Sequence, residues 1–312
     1  MNKKVTFWLR VVISATILGY LIWRTGVESL LGTLSEMKAL YIIPIFFLLL
    51  VVLPAIRTFS YAVLLKNASK QLPFWKVFAV NYYSWALGMI MPGGKVGEMS
   101  AAYFLKKEGL NASESIELTI IDKAISFLVV SMIAAVGVAK FIGIQESLVL
   151  IAVSIAFLVL VAAAIFIEIR KKFFAGTIKK ILNRVGMEGV VASSLFRTTL
   201  KKGKRYIFAN FLLTVTGSLA AAVMFWLAFL AFGESVSITN VLLINSAGTL
   251  LSLLPISIGG LGVRETSAVI LFSRIGVESS VTLSAHLVVV FVTYIVLFLI
   301  LAYYNAASMR KR

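Results

Sequence analysis

Twice the sequence sets a cation and a carboxylate beside a proline and several glycines: in PGGKVGE, residues 92–98, and in PISIGGLGVRE, residues 255–265. Both stretches interrupt apolar sequence. Gly93, Gly94 and Gly97 in the first, and Gly259, Gly260 and Gly262 in the second, permit a sharp turn and close approach by another group. Pro92 and Pro255 break any helix that precedes them. A helix starting after such a break presents free N–H groups and a positive dipole end, which attract an anion. Lys95 and Arg264 add a full positive charge at the same places. The chemistry these residues suit is anion binding, with snorkelling or pairing with the adjacent glutamate as the plainer alternative for the two cations.

Glu98 and Glu265 have two readings. Each carboxylate can stabilise the first turn of its helix, or it can meet a substrate amine or a coupled proton. Asp122 and Lys123 can pair with each other or face a cavity. Arg57 can snorkel to the interface or contact a phosphate. Asn81 and Asn245, with Ser246, lie on the arms that lead to the two breaks and have two readings, interhelical hydrogen bonds or contact with the substrate. His286 is the one histidine. Without cysteine or clustered carboxylates it makes no metal site, and packing or titration are its two readings. No cofactor is expected. Neither a Ser/His/Asp set nor a nucleotide loop is present, and GGKVGE lacks the GK[ST] ending of a phosphate loop. An enzyme is therefore not expected.

These residues need elements that hold them inside a membrane. Of 312 residues 60% are hydrophobic and 14% charged, against roughly 25% charged in soluble domains. Apolar runs of about 20 residues, the length that crosses a bilayer, predict an all-α polytopic membrane protein. A membrane β-barrel would need short alternating strands instead. Full spans are expected at about 5–23, 40–65, 115–139, 147–168, 206–232 and 280–304. The first resembles a signal peptide but has no small-residue cleavage site, so it reads as a retained span. Two further apolar segments, 74–91 and 238–254, each end in a break followed by a short helix, 97–107 and 264–275. The absence of cysteine excludes disulfides and thiolate chemistry.

The net charge of +17 would suggest nucleic acid in a soluble protein. Here the basic residues gather in particular loops, so orientation explains them better and no nucleic-acid partner is expected. Segment 169–205 carries eleven of them and must be cytoplasmic, as should both termini. Within it Phe174, Ile178, Ile181 and Val185 share one face, which suggests an interfacial helix on anionic cytoplasmic lipids. Counting crossings, 66–110 begins and ends inside, and 233–279 begins and ends outside. Each reads as a re-entrant hairpin with its break at the tip.

The hairpins also resemble each other. At one fixed offset Gly93, Glu98, Ser100, Ala101, Lys107, Gly109 and Ser113 meet Gly260, Glu265, Ser267, Ala268, Arg274, Gly276 and Ser280. The single membrane domain, 1–312, thus reads as an inverted-topology repeat: 40–140, then 206–304 inverted, as in many secondary transporters.

The stretch MPGGKVGEMSAAYFLKKEGLNASESIELTIIDKAISFL resembles the pattern of the lysylphosphatidylglycerol-synthase transmembrane family, also called flippase-like membrane proteins. That pattern runs Pro, Gly, basic, Gly, acidic, a short helix, then an Asp-Arg pair in the next span. LLPISIGGLGVRET is similar to the family's second signature. The resemblance covers nearly the whole chain and implies a lipid translocase. In its best-known relatives this membrane module is joined to a cytoplasmic domain that aminoacylates phosphatidylglycerol. Relatives without that domain are tied to polyprenyl-phosphate glycolipids or other lipids. Lys123 stands where the family pattern has arginine and supplies a point charge where arginine supplies a fork. With so little sequence after the last span, the synthase activity is not expected to carry over.

The expected function is therefore movement of an anionic or zwitterionic lipid across a cell membrane. The head group would sit between two hairpin tips, and the tails would stay in the bilayer. Two other readings stand beside it: a proton-coupled carrier of a small soluble anion, and a non-transporting scaffold that partners a lipid-modifying enzyme.

Overall fold

The structure, a computed structural model, describes residues 3–66, 68–90, 98–170, 203–253 and 256–309. Pro92, Gly93, Gly94, Lys95, Gly97, Pro255 and the interfacial helix expected at 173–185 lie outside the described residues. Everything regular within them is helical, with no strand. Among the described residues, four helices are long and apolar enough to cross a membrane, Ala39–Leu65, Ala112–Phe141, Lys204–Ala231 and Ser279–Tyr303. A fifth is counted if the bent pair Trp8–Thr25 and Val27–Ser35 forms one span. The chain is a multi-pass membrane protein.

Helix α1, Lys3–Thr25, stops at Gly26, whose φ of 90° suits only glycine well. The chain turns there by 82° into α2, Val27–Ser35, a helix the sequence reading did not anticipate. The next span is built from a single 3₁₀ turn at Ala39–Tyr41, α3 (Ile42–Phe47), a π-helical turn at Leu48–Val52, and α4 (Leu53–Leu65). Proline accounts for the irregularity. Pro54 has no N–H to give to the Leu50 carbonyl one turn back. That carbonyl instead accepts a hydrogen bond from the Tyr82 hydroxyl of the neighbouring helix. A carbonyl left unmet at membrane depth is costly. Tyr82→Phe is therefore expected to destabilise the protein by about 1–3 kcal/mol, read as a lower midpoint of thermal unfolding in detergent.

Helix α5 is Phe74–Ile90, and a 3₁₀ turn at 98–100 leads into α6, Ala101–Lys107. Gly109, at φ 97°, closes α6, and α7, Ala112–Phe141, follows. The first half ends in α8, Ile144–Arg170. The second half comprises α9 (Lys204–Ala231), α10 (Ile238–Leu251), α11 (Val263–Ser273) and α12 (Ser279–Met309). The six expected spans thus fall on α1, on α3 to α4, and on α7, α8, α9 and α12. The two broken segments fall on α5 with α6 and on α10 with α11.

Successive helices pack on one another in both halves: α4 on α5, α5 on α6 and α6 on α7, then α9 on α10, α10 on α11 and α11 on α12. The halves join where α4 lies along α9 and where α7 crosses α10. At the second crossing a Cβ on Gly137 would lie 2.9 Å from the Leu243 carbonyl oxygen, so the backbones touch. Such small-residue contacts are how helices associate without a hydrophobic driving force.

Candidate functional site

Two clusters of charge lie at the starts of the two short helices. The first forms around Glu98, at the head of the turn that leads into α6. One carboxylate oxygen accepts from Arg57 of α4 at 3.2 Å, and the other accepts from Lys123 of α7 at 2.7 Å. Lys123 also lies 3.1 Å from Asp122. Asp122 accepts from Asn210 of α9 at 3.2 Å, and the same amide donates to Ser60 Oγ at 2.6 Å and to the Ser60 carbonyl at 3.0 Å. The Lys123 ammonium stands 5.7 Å from the centre of the Tyr61 ring. Among the described residues, two cations thus meet two carboxylates. They do so across α4, α7 and the head of α6, with α9 attached through Asn210.

Exposure within this cluster is uneven. The Glu98 side chain is 9% exposed and that of Lys123 21%, while that of Arg57 is 44% exposed. An incoming anion would reach the Arg57 guanidinium first. The backbone beneath is tied down as well. Ser84 of α5 donates to the Glu98 carbonyl at 2.6 Å, and Asn81 reaches the Arg57 carbonyl at 3.5 Å.

The second cluster is arranged differently. Glu265 is 1% exposed, and one of its oxygens accepts from the Gly262 backbone N–H at 2.7 Å, capping α11. Its other oxygen has no hydrogen-bond partner among the described residues and lies 3.9 Å from the Arg264 Nε. Arg264 stacks on Phe225 of α9, with 5.5 Å from its guanidinium carbon to the ring centre. Its guanidinium makes no hydrogen bond among the described residues. Behind Phe225 sits His286 of α12, fully buried, with ring centres 4.6 Å apart and neither ring nitrogen partnered among the described residues. Asn245 on α10 is buried, and among the described residues both of its amide atoms lack a partner. One turn along, a Cβ on Gly248 would meet Ser267 Oγ at 2.8 Å and the Arg264 side chain at 3.2 Å.

The second break also touches the end of α5. A Cβ on Gly259 would lie 2.9 Å from the Met89 carbonyl oxygen, at the end of α5. Gly259 and Gly260 hold φ of 60° and 82°. Helix α1 closes over the same loop, where the Ile258 N–H donates to Ser14 Oγ at 2.9 Å and Gly262 abuts Ile17. Gly259→Ala combines an unfavourable φ with a backbone clash. It is expected to cost about 1–3 kcal/mol, measured as a drop in the unfolding midpoint.

The structure brings together Arg57, Glu98, Asp122 and Lys123 as one network, with Asn81 at its margin. It brings Arg264 beside Glu265, and Asn245 and His286 line the elements around them. Lys95 and the glycines of the first break lie outside the described residues. Sequence reasoning left the Arg57–Glu98 pair unmade, and it missed Ser14, Ser60, Ser84, Asn210 and Phe225. A polar residue in an apolar span is the one signal that marks Asn210, and nothing local names its partners.

The pattern of the family described as lysylphosphatidylglycerol synthase TM region matches residues 7–300. A UPF0104 membrane protein of Pyrococcus horikoshii is 22% identical over 303 residues, covering 89% of this chain and 90% of that protein. A UPF0104 membrane protein of Methanothermobacter thermautotrophicus is 22% identical over 301 residues, covering 89% of this chain and 88% of that one.

Proposed function

Because the chain belongs to the lysylphosphatidylglycerol synthase transmembrane family, we propose that it moves a phosphate-bearing lipid between the leaflets of the cell membrane. The head group is held between the tips of two re-entrant hairpins, and the acyl or polyprenyl tails remain in the bilayer. The observation that carries this reading is the state of Arg264. It is a cation among apolar helices, oriented by an aromatic face, with its hydrogen-bond donors uncommitted among the described residues. Intramembrane cations are costly and mark function by default. A guanidinium fork suits a phosphate.

Further observations favour the hairpin reading. Helix α10 has 14 residues, short of the ~20 needed to cross a bilayer. The order of packing in α4 to α7 recurs in α9 to α12. This is what an inverted repeat would produce, with six full spans and both termini cytoplasmic. The contact between Gly259 and the end of α5 favours tips that share one central volume. Rocking one repeat against the other would then open that volume to each leaflet in turn. On this reading the protein transports and catalyses no covalent step, and its partners are the lipid substrate and the anionic lipids around it.

Mass spectrometry of lipid that co-purifies in nanodiscs tests this reading. One phospholipid or polyprenyl phosphate should be enriched in the wild type and lost in Arg264→Ala. Bulk membrane lipid in both samples would contradict it and favour a soluble-anion carrier or a scaffold for a lipid-modifying enzyme.

A further inference from the structure

Glu265 is the most deeply buried carboxylate among the described residues, at 1% exposed. Its two oxygens are in different positions. Oε2 accepts from the Gly262 N–H at 2.7 Å. Oε1 has no hydrogen-bond partner among the described residues and lies 3.9 Å from the Arg264 Nε. The Arg264 side chain is 28% exposed, so an incoming anion reaches it first. In the lipid reading above it is also the cation that holds the phosphate. Resting on that reading, we propose that Glu265 is a proton site, which takes up one proton on Oε1 as the lipid phosphate binds Arg264.

The physical reason is a conflict of charge. Before binding, one cation stands beside one carboxylate. A phosphodiester on the guanidinium adds a second negative charge close to a carboxylate shut away from water. Two like charges that share a buried site do not both stay ionised. The phosphodiester is much the stronger acid, so the carboxylate takes the proton. The proton comes from water and adds to Oε1, and no other bond changes. The lipid brings one negative charge, the proton cancels one, and the net charge of the site is unchanged. Protonation also turns Oε1 from an acceptor into a donor. Nε and Oε1, 3.9 Å apart, can then both donate to one phosphate oxygen about 2.8 Å from each. Oε2 keeps the Gly262 N–H, so the start of α11 holds. Proton and lipid bind as a pair, and a pH difference across the membrane can drive the lipid.

The neighbours leave this carboxylate one cation. Helix α11 packs on α1, α10 and α12. From α1, Ser14 and Ile17 meet the loop that starts α11, and neither ionises. From α10, Gly248 meets the Arg264 side chain and Ser252 meets Gly260. Two titratable groups come from α12. Tyr294 is within electrostatic reach of Glu265 and Arg264, and His286 is within reach of Arg264 from behind Phe225. Among the described residues, only Arg264 stands within ion-pair distance of Glu265. Glu98 is held by two cations, so the proton falls to the second cluster. His286 is the rival site, one aromatic ring further from the phosphate.

Titration calorimetry of the detergent-solubilised protein with dihexanoyl phosphatidylglycerol, in two buffers of different ionisation heat, counts the protons directly. About one proton should be taken up per lipid bound, and affinity should fall about tenfold for each unit rise in pH. In Glu265→Gln the amide oxygen can still accept from the Gly262 N–H and cap α11. That variant should bind with no proton uptake and no pH slope, and more tightly than the wild type at about pH 8. His286→Gln should keep the wild-type count. Wild-type binding without proton uptake would overturn the inference, as would a count that survives in Glu265→Gln. Loss of that surviving count in His286→Gln would then place the proton on the histidine. If Glu265→Gln fails to fold, infrared difference spectra of the wild type decide. A protonated-carboxyl band should appear on binding, and its absence would overturn the inference. Dimethyl phosphate, the same charged group without tails, separates the two sources of phosphate. Equal affinity and the same proton count would keep the proton site but overturn the lipid reading. No binding of the phosphatidylglycerol by the wild type would overturn both.

Discussion

Arg264→Ala is expected to reduce lipid movement by about 100-fold while leaving the protein folded. Two charge-assisted hydrogen bonds to a phosphate are worth about 3 kcal/mol together, and each 1.4 kcal/mol is tenfold. The loss should fall on function because Arg264 makes no hydrogen bond among the described residues. Its removal leaves Glu265 tied to the Gly262 N–H as before. The cation it takes from that carboxylate stands 3.9 Å away with no hydrogen bond to it, so the stability cost should be smaller than for a directly bonded buried pair. Arg264→Lys should retain part of the activity, about tenfold below wild type. The charge survives, but the planar fork and its stacking on Phe225 do not. Rates of labelled-lipid movement in proteoliposomes, read beside unfolding midpoints, check both variants.

Lys123→Met should show the opposite balance, with stability failing first. Lys123 lies within 2.7 Å of Glu98 and 3.1 Å of Asp122. Without it, Arg57 is the one cation among the described residues that stays beside Glu98, and it is partly exposed. Breaking a buried pair from one side costs about 3–5 kcal/mol, because the other charge stays behind. The double variant Glu98→Gln with Lys123→Met should recover most of that stability, since it removes one of the stranded charges. Thermal unfolding of the two single variants and the double variant supplies the cycle. A double variant no more stable than Lys123→Met alone would mean that Lys123 acts through packing against Tyr61 and not through its charge.

The contrast between these variants follows from an asymmetry that no single stretch of sequence displays. Glu98 and Glu265 stand at matching positions of two similar segments, and both were legible as first-turn carboxylates. Glu265 does cap its own helix. Glu98 instead reaches Arg57, 41 residues earlier in the chain, and Lys123, 25 residues later. The difference lies in the neighbours, because α4 and α7 bring cations to Glu98. Phe225 and His286 on the other side bring none. The long spans were legible because an apolar run of bilayer length is a local signal. The bend at Gly26 escaped because one glycine says little until the chain direction on both sides is known. The Asp122–Asn210 contact joins residues 88 apart, and its two polar residues could each have had other partners. Tyr82 shows the same limit. Pro54 announces an unmet carbonyl, but only the packing of α5 on α4 says which hydroxyl meets it.

The most direct test of the central claim is movement of a fluorescent phosphatidylglycerol in vesicles of phosphatidylcholine and phosphatidylglycerol. Dithionite quenching reports how much label remains protected inside. Wild-type protein should make the protected pool accessible at a rate proportional to protein per vesicle. Arg264→Ala should bring that rate close to that of protein-free vesicles. A wild-type rate equal to that of empty vesicles, or an equal rate in Arg264→Ala, would contradict a phosphate-holding lipid transporter.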